Sequence, residues 1–242
     1  MSIVVIPARF ASTRLPGKPL KHINGVPMIL RVAEKCLKSK ADRVIVATDS
    51  TEILDVCGHM DGLESSMSSA DIQSGTDRVA AVSKFSDDDI IINVQGDEPF
   101  IDPALIDLLI EDLEKNPDVM MNTAMVKFSE DEDPADINSV KVITDSKGNA
   151  LYFSRAPIPH DRDGIGNVEY YRHIGIYGFR SEWLQKFSSL EPSRLEQIEK
   201  LEQLRALENG VRIKVIETDY KPVSVDTEED LIKAEEILNR MV

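Results

Sequence analysis

Ile3-Val4-Val5-Ile6 is an uninterrupted apolar run that ends at Pro7, and it leaves this chain few folds to choose from. A strand that is apolar on both faces needs cover on both faces, so the run belongs in a largely parallel sheet between layers of helices. The following segments repeat the theme. Pro27 to Lys38 reads as a helix, with Ile29, Val32, Ala33, Cys36 and Leu37 at core spacing. Arg43 to Thr48 reads as a strand, Asp77 to Lys84 as a helix and Ile90 to Val94 as another apolar strand. Asp102 as N-cap and Pro103 at the first helical position open a helix carrying Leu105, Ile106, Leu108, Leu109 and Leu113. Val119 to Lys127 is strand-like, Val140 to Thr144 and Ala150 to Ser154 flank a hairpin turn over 145–149, and His173 to Phe179 is a strand. Ser193 to Glu208 reads as one helix, opened by Ser193 with Glu196 as a capping box and closed by Asn209-Gly210. Val211 to Glu217 and Thr227 to Met241 form the last strand and helix.

This is the pattern of an α/β chain forming one domain over residues 1–242. The segment from about Glu130 to Phe187 departs from strict alternation. It reads either as an inserted acceptor-binding or dimerising excursion or as a plain structural one.

Charge narrows the function. The net charge of −15 excludes a general role in holding nucleic acid, which needs clustered Lys and Arg. No stretch approaches the roughly 20 apolar residues of a membrane span. The first residues are too short and uncharged for a signal peptide. Cys36 and Cys57 form neither a disulfide framework nor a zinc spacing, so a reducing cytoplasm is expected. Although the chain holds 43 acidic residues, none precedes Glu34, whereas Arg9, Arg14, Lys18, Lys21 and Arg31 do. That asymmetry calls for an anion near the start.

The loop after the first strand, Pro7-Ala8-Arg9-Phe10-Ala11-Ser12-Thr13-Arg14-Leu15-Pro16-Gly17-Lys18, carries the cations and hydroxyls that hold a nucleoside triphosphate. It would sit beyond the carboxyl end of a strand, where ligands bind in open α/β sheets. It is neither of the common glycine-rich phosphate motifs. A surface loop with solvated charges, Ser12 or Thr13 capping a turn, fits the composition equally well. Asp97 follows an apolar strand, and Asp226 stands at a second strand-to-helix junction; together they would suit magnesium. Alone, Asp226 also reads as a helix cap. His22, His59, His160 and His173 show no metal spacing, and no nucleophile elbow is present, so zinc chemistry and a covalent intermediate are not indicated.

Six ordered motifs carry a family likeness: Ile6 to Leu20, Gln73 to Arg78, Asn93 to Pro99, Ala150 to Arg155, His173 to Gly178, and Leu201 to Arg205, with Val225-Asp226-Thr227 near the end. Together they resemble the 3-deoxy-D-manno-octulosonate (Kdo) cytidylyltransferases over nearly the whole chain. Phe10 stands where Tyr is common in that family, and Asp77 where Glu is common. The resemblance implies a three-layer nucleotide-diphospho-sugar transferase fold with a mostly parallel mixed sheet. It also implies a homodimer and transfer of CMP from CTP to Kdo with magnesium at Asp97 and Asp226. Arg9, Lys18, Asp97 and Asp226 would be the catalytic set. Pro7, Ala8, Arg9, Ser12, Arg14, Lys18, Gln73, Ser74, Gly75, Arg78, Gln95 and Asp97 would hold the nucleotide. Arg155 would grip the sugar carboxylate, with a surface salt bridge as its plainer reading. His173, Tyr177, Glu202 and Gln203 would surround the sugar, although Glu202 and Gln203 also fit exposed helix positions.

Overall fold

The computed structural model describes every residue except 12–14, 73, 85–87, 165, 167 and 242, together with the side chain of residue 241. In chain order the elements are β1 (Ser2–Ala8), a 3-10 turn (Lys18–Leu20), β2 (His22–Ile23), β3 (Val26–Pro27), α1 (Met28–Cys36), β4 (Arg43–Thr48), α2 (Thr51–Cys57) and β5 (Leu63–Met67). There follow α3 (Gly75–Ser83), β6 (Ile90–Asn93), α4 (Pro103–Lys115), β7 (Met121–Lys127), β8 (Lys141–Thr144), β9 (Ala150–Ser154) and β10 (Tyr171–Arg180). The chain ends with α5 (Ser181–Ser188), α6 (Arg194–Glu199), α7 (Gln203–Glu208), β11 (Ile213–Glu217) and α8 (Glu228–Met241).

β1 lies inside the sheet because both of its faces are apolar. Val4 and Ile6 join Ile29, Val32, Leu105 and Leu109 on the α1 and α4 side. Ile3 and Val5 join Val79, Trp183, Phe187 and Leu204 on the α3, α5 and α7 side. Each such side chain, fully buried, contributes roughly 1.5–3 kcal/mol. The main sheet runs β11-β7-β10-β6-β1-β4-β5. β1 pairs in parallel with β4 and β6, β4 with β5, and β11 with β7, while β10 is antiparallel to both neighbours. This is the three-layer, mostly parallel mixed sheet that the sequence resemblance implies.

Three elements carry weak sequence signals. β5 is polar and forms the sheet edge, while α2 and α5 are short helices that bury only a few residues each. One expected element is corrected. The span from Ser193 to Glu208 is two helices, α6 and α7, broken at Lys200 with φ 56° and ψ 48°. Its residues favour a continuous helix, and a left-handed non-glycine residue costs roughly 1–2 kcal/mol. Tertiary contacts override that preference: Leu201 and Leu204 are buried on the far side of the break. The Arg155 Nε atom also donates to the Glu199 carbonyl at the end of α6, at 2.7 Å.

The β8–β9 hairpin leaves the main sheet, touching β10 at the Arg172–Lys141 pair. Lys141 is fully buried at its base. Its ammonium donates to the carbonyls of Asp136 at 2.9 Å, Ser139 at 2.6 Å and Arg155.

Candidate active site

Two strand ends and the start of the last helix converge on one ammonium. Gly17, at φ 65°, takes the left-handed turn that sets Lys18 inward. Lys18 Nζ then donates to Asp97 Oδ2 and to Asp226 Oδ1, each at 2.7 Å. Gly96 lets Asp97 approach β1, since a Cβ there would lie 2.9 Å from the Pro7 carbonyl oxygen. The Val225 N–H donates to the Asp97 carbonyl at 2.9 Å, bringing the distant Asp226 alongside. Val225 is itself packed with Leu15, Ile23, Met28 and Ala234. Helix capping falls to the neighbouring residue: the Asp230 N–H donates to Thr227 Oγ1 at 3.2 Å, and Asp230 Oδ2 accepts from the Thr227 N–H at 3.1 Å. Asp226 is thus not the cap, and its Oδ1 accepts from Lys18. Burial pulls the Lys18 pKa down, but the charge of Asp97 and the hydrogen bonds to both aspartates outweigh it and hold it above the ordinary lysine value.

No cluster of three or more His, Cys, Asp or Glu side chains suited to a metal is present among the described residues. A cation here would be held by two carboxylates and completed by substrate oxygens and water, which is how magnesium binds in nucleotide enzymes. The donor set fits, because both carboxylates already reach one small cation.

A cavity of about 350 Å³ opens beside the aspartate pair. Gly75, Thr76 and Gln95 line it near the end of β1, Arg172, His173 and Tyr177 line it from β10, and Lys200 to Gln203 line it from the break between α6 and α7. His173 is buried and held by Thr123 Oγ1 at 3.0 Å. Burial lowers its pKa to about 3, so it is neutral. The Thr123 hydroxyl also reaches the carbonyls of Ile176 at 2.7 Å and Ile174 at 3.2 Å. The Gln203 amide nitrogen is buried with no partner among the described residues. Glu98, beside Asp97, is pushed up to about 7 by burial, against hydrogen bonds from Ser224 and from Tyr220 at 3.4 Å.

Residues 3–213 match the model of the cytidylyltransferase family. The 3-deoxy-manno-octulosonate cytidylyltransferases of Syntrophotalea carbinolica and Aeromonas hydrophila are each 48% identical to this chain. The first covers 97% of this chain and 98% of its own length, the second 98% of each. A solved CMP:2-keto-3-deoxy-manno-octonic acid synthetase in complex with CTP superposes with a TM-score of 0.94 at 38% identity, covering 100% of this chain and 99% of its own. The chain belongs to the 3-deoxy-manno-octulosonate cytidylyltransferase family.

Within this cytidylyltransferase the expected residues fall into distinct groups. Lys18, Asp97 and Asp226 meet. Pro7, Gly75 and Gln95 also come together, since a Cβ on Gly75 would lie 3.4 Å from both Pro7 Cγ and Gln95 Oε1. Ala8 is buried and Arg9 is exposed beside them. Ser74 caps α3, accepting from the Asp77 N–H at 3.0 Å. His173, Tyr177, Glu202 and Gln203 share the cavity wall, and the exposed-helix reading of Gln203 is excluded by its 3% exposure. Ser12, Arg14 and Gln73 lie outside the described residues.

Two arginines take partners other than a ligand. Arg78 is buried, donating to Asp49 Oδ2 and the Ile72 carbonyl, both at 3.1 Å, and to the Ser68 hydroxyl. It braces the loop after β1 indirectly, because Asp49 Oδ1 accepts from the Phe10 N–H at 2.9 Å. Arg155 donates to the carbonyls of Glu199, Ile137 at 2.9 Å and Lys200 at 3.4 Å, and it does not line the cavity. The plainer expectation for Arg155, a salt bridge, is replaced by bonds to the main chain. Sequence reasoning missed Asp49, Thr76, Glu98 and Arg172. Thr76 and Glu98 lay inside the Gln73-to-Arg78 and Asn93-to-Pro99 motifs, adjacency to His173 was the available signal for Arg172, and Asp49 had none.

Proposed function

We propose that this protein transfers CMP from CTP to Kdo with release of pyrophosphate, supplying activated sugar for lipopolysaccharide synthesis. One observation carries the reading: an aspartate pair meeting on a single cation opens directly onto a cavity lined by Arg172, His173, Tyr177, Glu202 and Gln203. In this reading Arg9 and Lys18 hold the triphosphate, with Pro7, Gly75 and Gln95 beside the nucleoside. The Kdo anomeric hydroxyl, oriented in the cavity, attacks the α-phosphorus in line, and pyrophosphate leaves. Asp97 and Asp226 would hold a magnesium ion, which when bound supplies positive charge to the transferring and leaving oxygens. The cavity walls exclude water that would otherwise compete for the phosphorus.

A sugar acid needs a cation in its pocket. Arg172 and Lys200 are the Arg and Lys side chains among the described lining residues, and Arg172 is half-buried, with Nη1 3.3 Å from Glu132 Oε1. Arg172 is therefore assigned the Kdo carboxylate, with Arg155 supporting the wall from behind. The 130–187 excursion is proposed to pair two copies, since Ile137 and Leu151 on it are large apolar side chains at 65% and 58% exposure. A cytoplasmic location is also proposed; it is supported by two buried free cysteines and by the lack, among the described residues, of a helix long and apolar enough to cross a membrane.

Incubation with CTP, magnesium and either Kdo or a sialic acid, followed by pyrophosphate release, tests the reading. Release is expected with Kdo and magnesium together. Release with the sialic acid alone, or with neither sugar, overturns it.

A further inference from the structure

Glu202 owes its place in the cavity to the break at Lys200, which turns it away from the solvent-facing course a continuous helix would give it. Its Oε2 accepts a 2.6 Å hydrogen bond from Thr76 Oγ1. That bond is short and charge-assisted, and Thr76 is 5% exposed at the start of α3. The threonine hydroxyl has one proton, and an ionised carboxylate has none to give, so the direction of the bond is fixed. Behind Thr76 the same direction continues. Asn93, fully buried on β6, points Nδ2 at Thr76 Oγ1 across a long 3.5 Å, while its Oδ1 accepts from Gln95 Nε2 at 3.1 Å. Glu202 Oε1 carries no hydrogen bond among the described residues, and the next residue, Gln203, holds its unpartnered amide nitrogen in the same wall. An acceptor and a donor side by side are what a sugar hydroxyl needs.

We propose that Thr76 is a positioning residue for the acceptor sugar: by pinning Glu202 Oε2 it aims Oε1 at a substrate hydroxyl. This rests on the reading that the cavity takes Kdo. Thr76 acts through Glu202, and its β-branched side chain holds χ1 more tightly than serine would.

The charged surroundings make the hydroxyl matter. Burial raises the Glu202 pKa, as do Asp77 of α3 and Glu196 of α6; Arg205 of α7 and the Thr76 bond oppose them. Tyr177 of β10 faces the same carboxylate and is neutral, its pKa raised by burial and by Glu202 itself. Loss of the Thr76 bond removes the largest opposing contribution, so the carboxylate takes up a proton at higher pH.

The test is sugar titration at saturating CTP across the neutral and mildly acidic range, using Thr76→Val, Thr76→Ser and Glu202→Gln. Thr76→Val is expected to raise the apparent KM for Kdo about tenfold, the worth of a hydrogen bond to a charged group, with kcat and CTP binding little changed. Its rise in KM toward low pH should begin at a higher pH than in the wild type. Thr76→Ser should recover most of the loss. If Thr76→Val fails to fold, Thr76→Ala removes the same hydroxyl and takes its place. Wild-type KM and pH profile in the hydroxyl-free variant, with Kdo use impaired in Glu202→Gln, overturn the proposal and leave the acceptor pocket standing. A Glu202→Gln variant with unchanged Kdo kinetics overturns both.

Discussion

At one end of the cavity Asp97 and Asp226 keep their carboxylates in its lining, both accepting from Lys18 Nζ behind them. At the other end Arg155, equally well marked by its motif, turns its guanidinium onto three main-chain carbonyls behind the wall. The difference is one of local geometry. A carboxylate just past a buried strand is aimed by that strand and has little choice of direction. A long arginine side chain can reach any exposed carbonyl, and the broken helix offers two of them. Residues aimed by strand ends can therefore be assigned from sequence more safely than residues on long side chains beside an irregular segment.

Four experiments would break or sharpen that contrast. Asp97→Asn should lower turnover roughly a thousandfold, the scale for removing a preorganised charge stabiliser, while the melting temperature stays near wild type. Near-normal pyrophosphate release at ordinary magnesium would remove Asp97 from the chemistry. Arg155→Ala should act on the scaffold instead. Losing bonds to the carbonyls of Glu199, Ile137 and Lys200 should cost about 3 kcal/mol and lower Tm by roughly 6–12 °C, as read by calorimetry. A variant with unchanged Tm and only a raised KM for Kdo would return Arg155 to the ligand.

The third concerns pH. The His173 pKa falls from 6.5 to about 3 on folding because the ring is buried. Between those values the unfolded chain binds the extra proton, so stability is lost as pH falls below 6.5. At pH 5 the loss should be about 2 kcal/mol relative to neutral pH, and His173→Gln should lack it. Urea midpoints at the two pH values decide; equal acid sensitivity in the variant would mean that His173 is not the group responsible. The smallest effect is expected of Arg172→Ala, about a tenfold rise in the KM for Kdo with Tm and CTP binding unchanged, measured by sugar titration. No change would leave the sugar carboxylate to Lys200.

Sequence by itself determined the layered fold and the placing of Asp97 and of the loop after β1 at one edge of the sheet. Val4 and Ile6 alternate with Ile3 and Val5 so that both faces of β1 demand helices, and the loop after that strand falls at the carboxyl edge of the sheet. Asp97 follows from its strand, since Gly96 leaves it one close approach to β1. The tertiary structure alone decided the cavity wall formed by Lys200 to Gln203. Ser193 to Glu208 has the composition of one helix, and only long-range packing against Leu201 and Leu204, with Arg155 holding the Glu199 carbonyl, pays for the left-handed Lys200 that turns Glu202 and Gln203 inward. The partners of Arg78, Asp49 and Thr76 likewise come from distant segments. Helical and strand periodicity is written in neighbouring residues, whereas the direction of a buried polar side chain depends on which distant donor or acceptor remains to be satisfied.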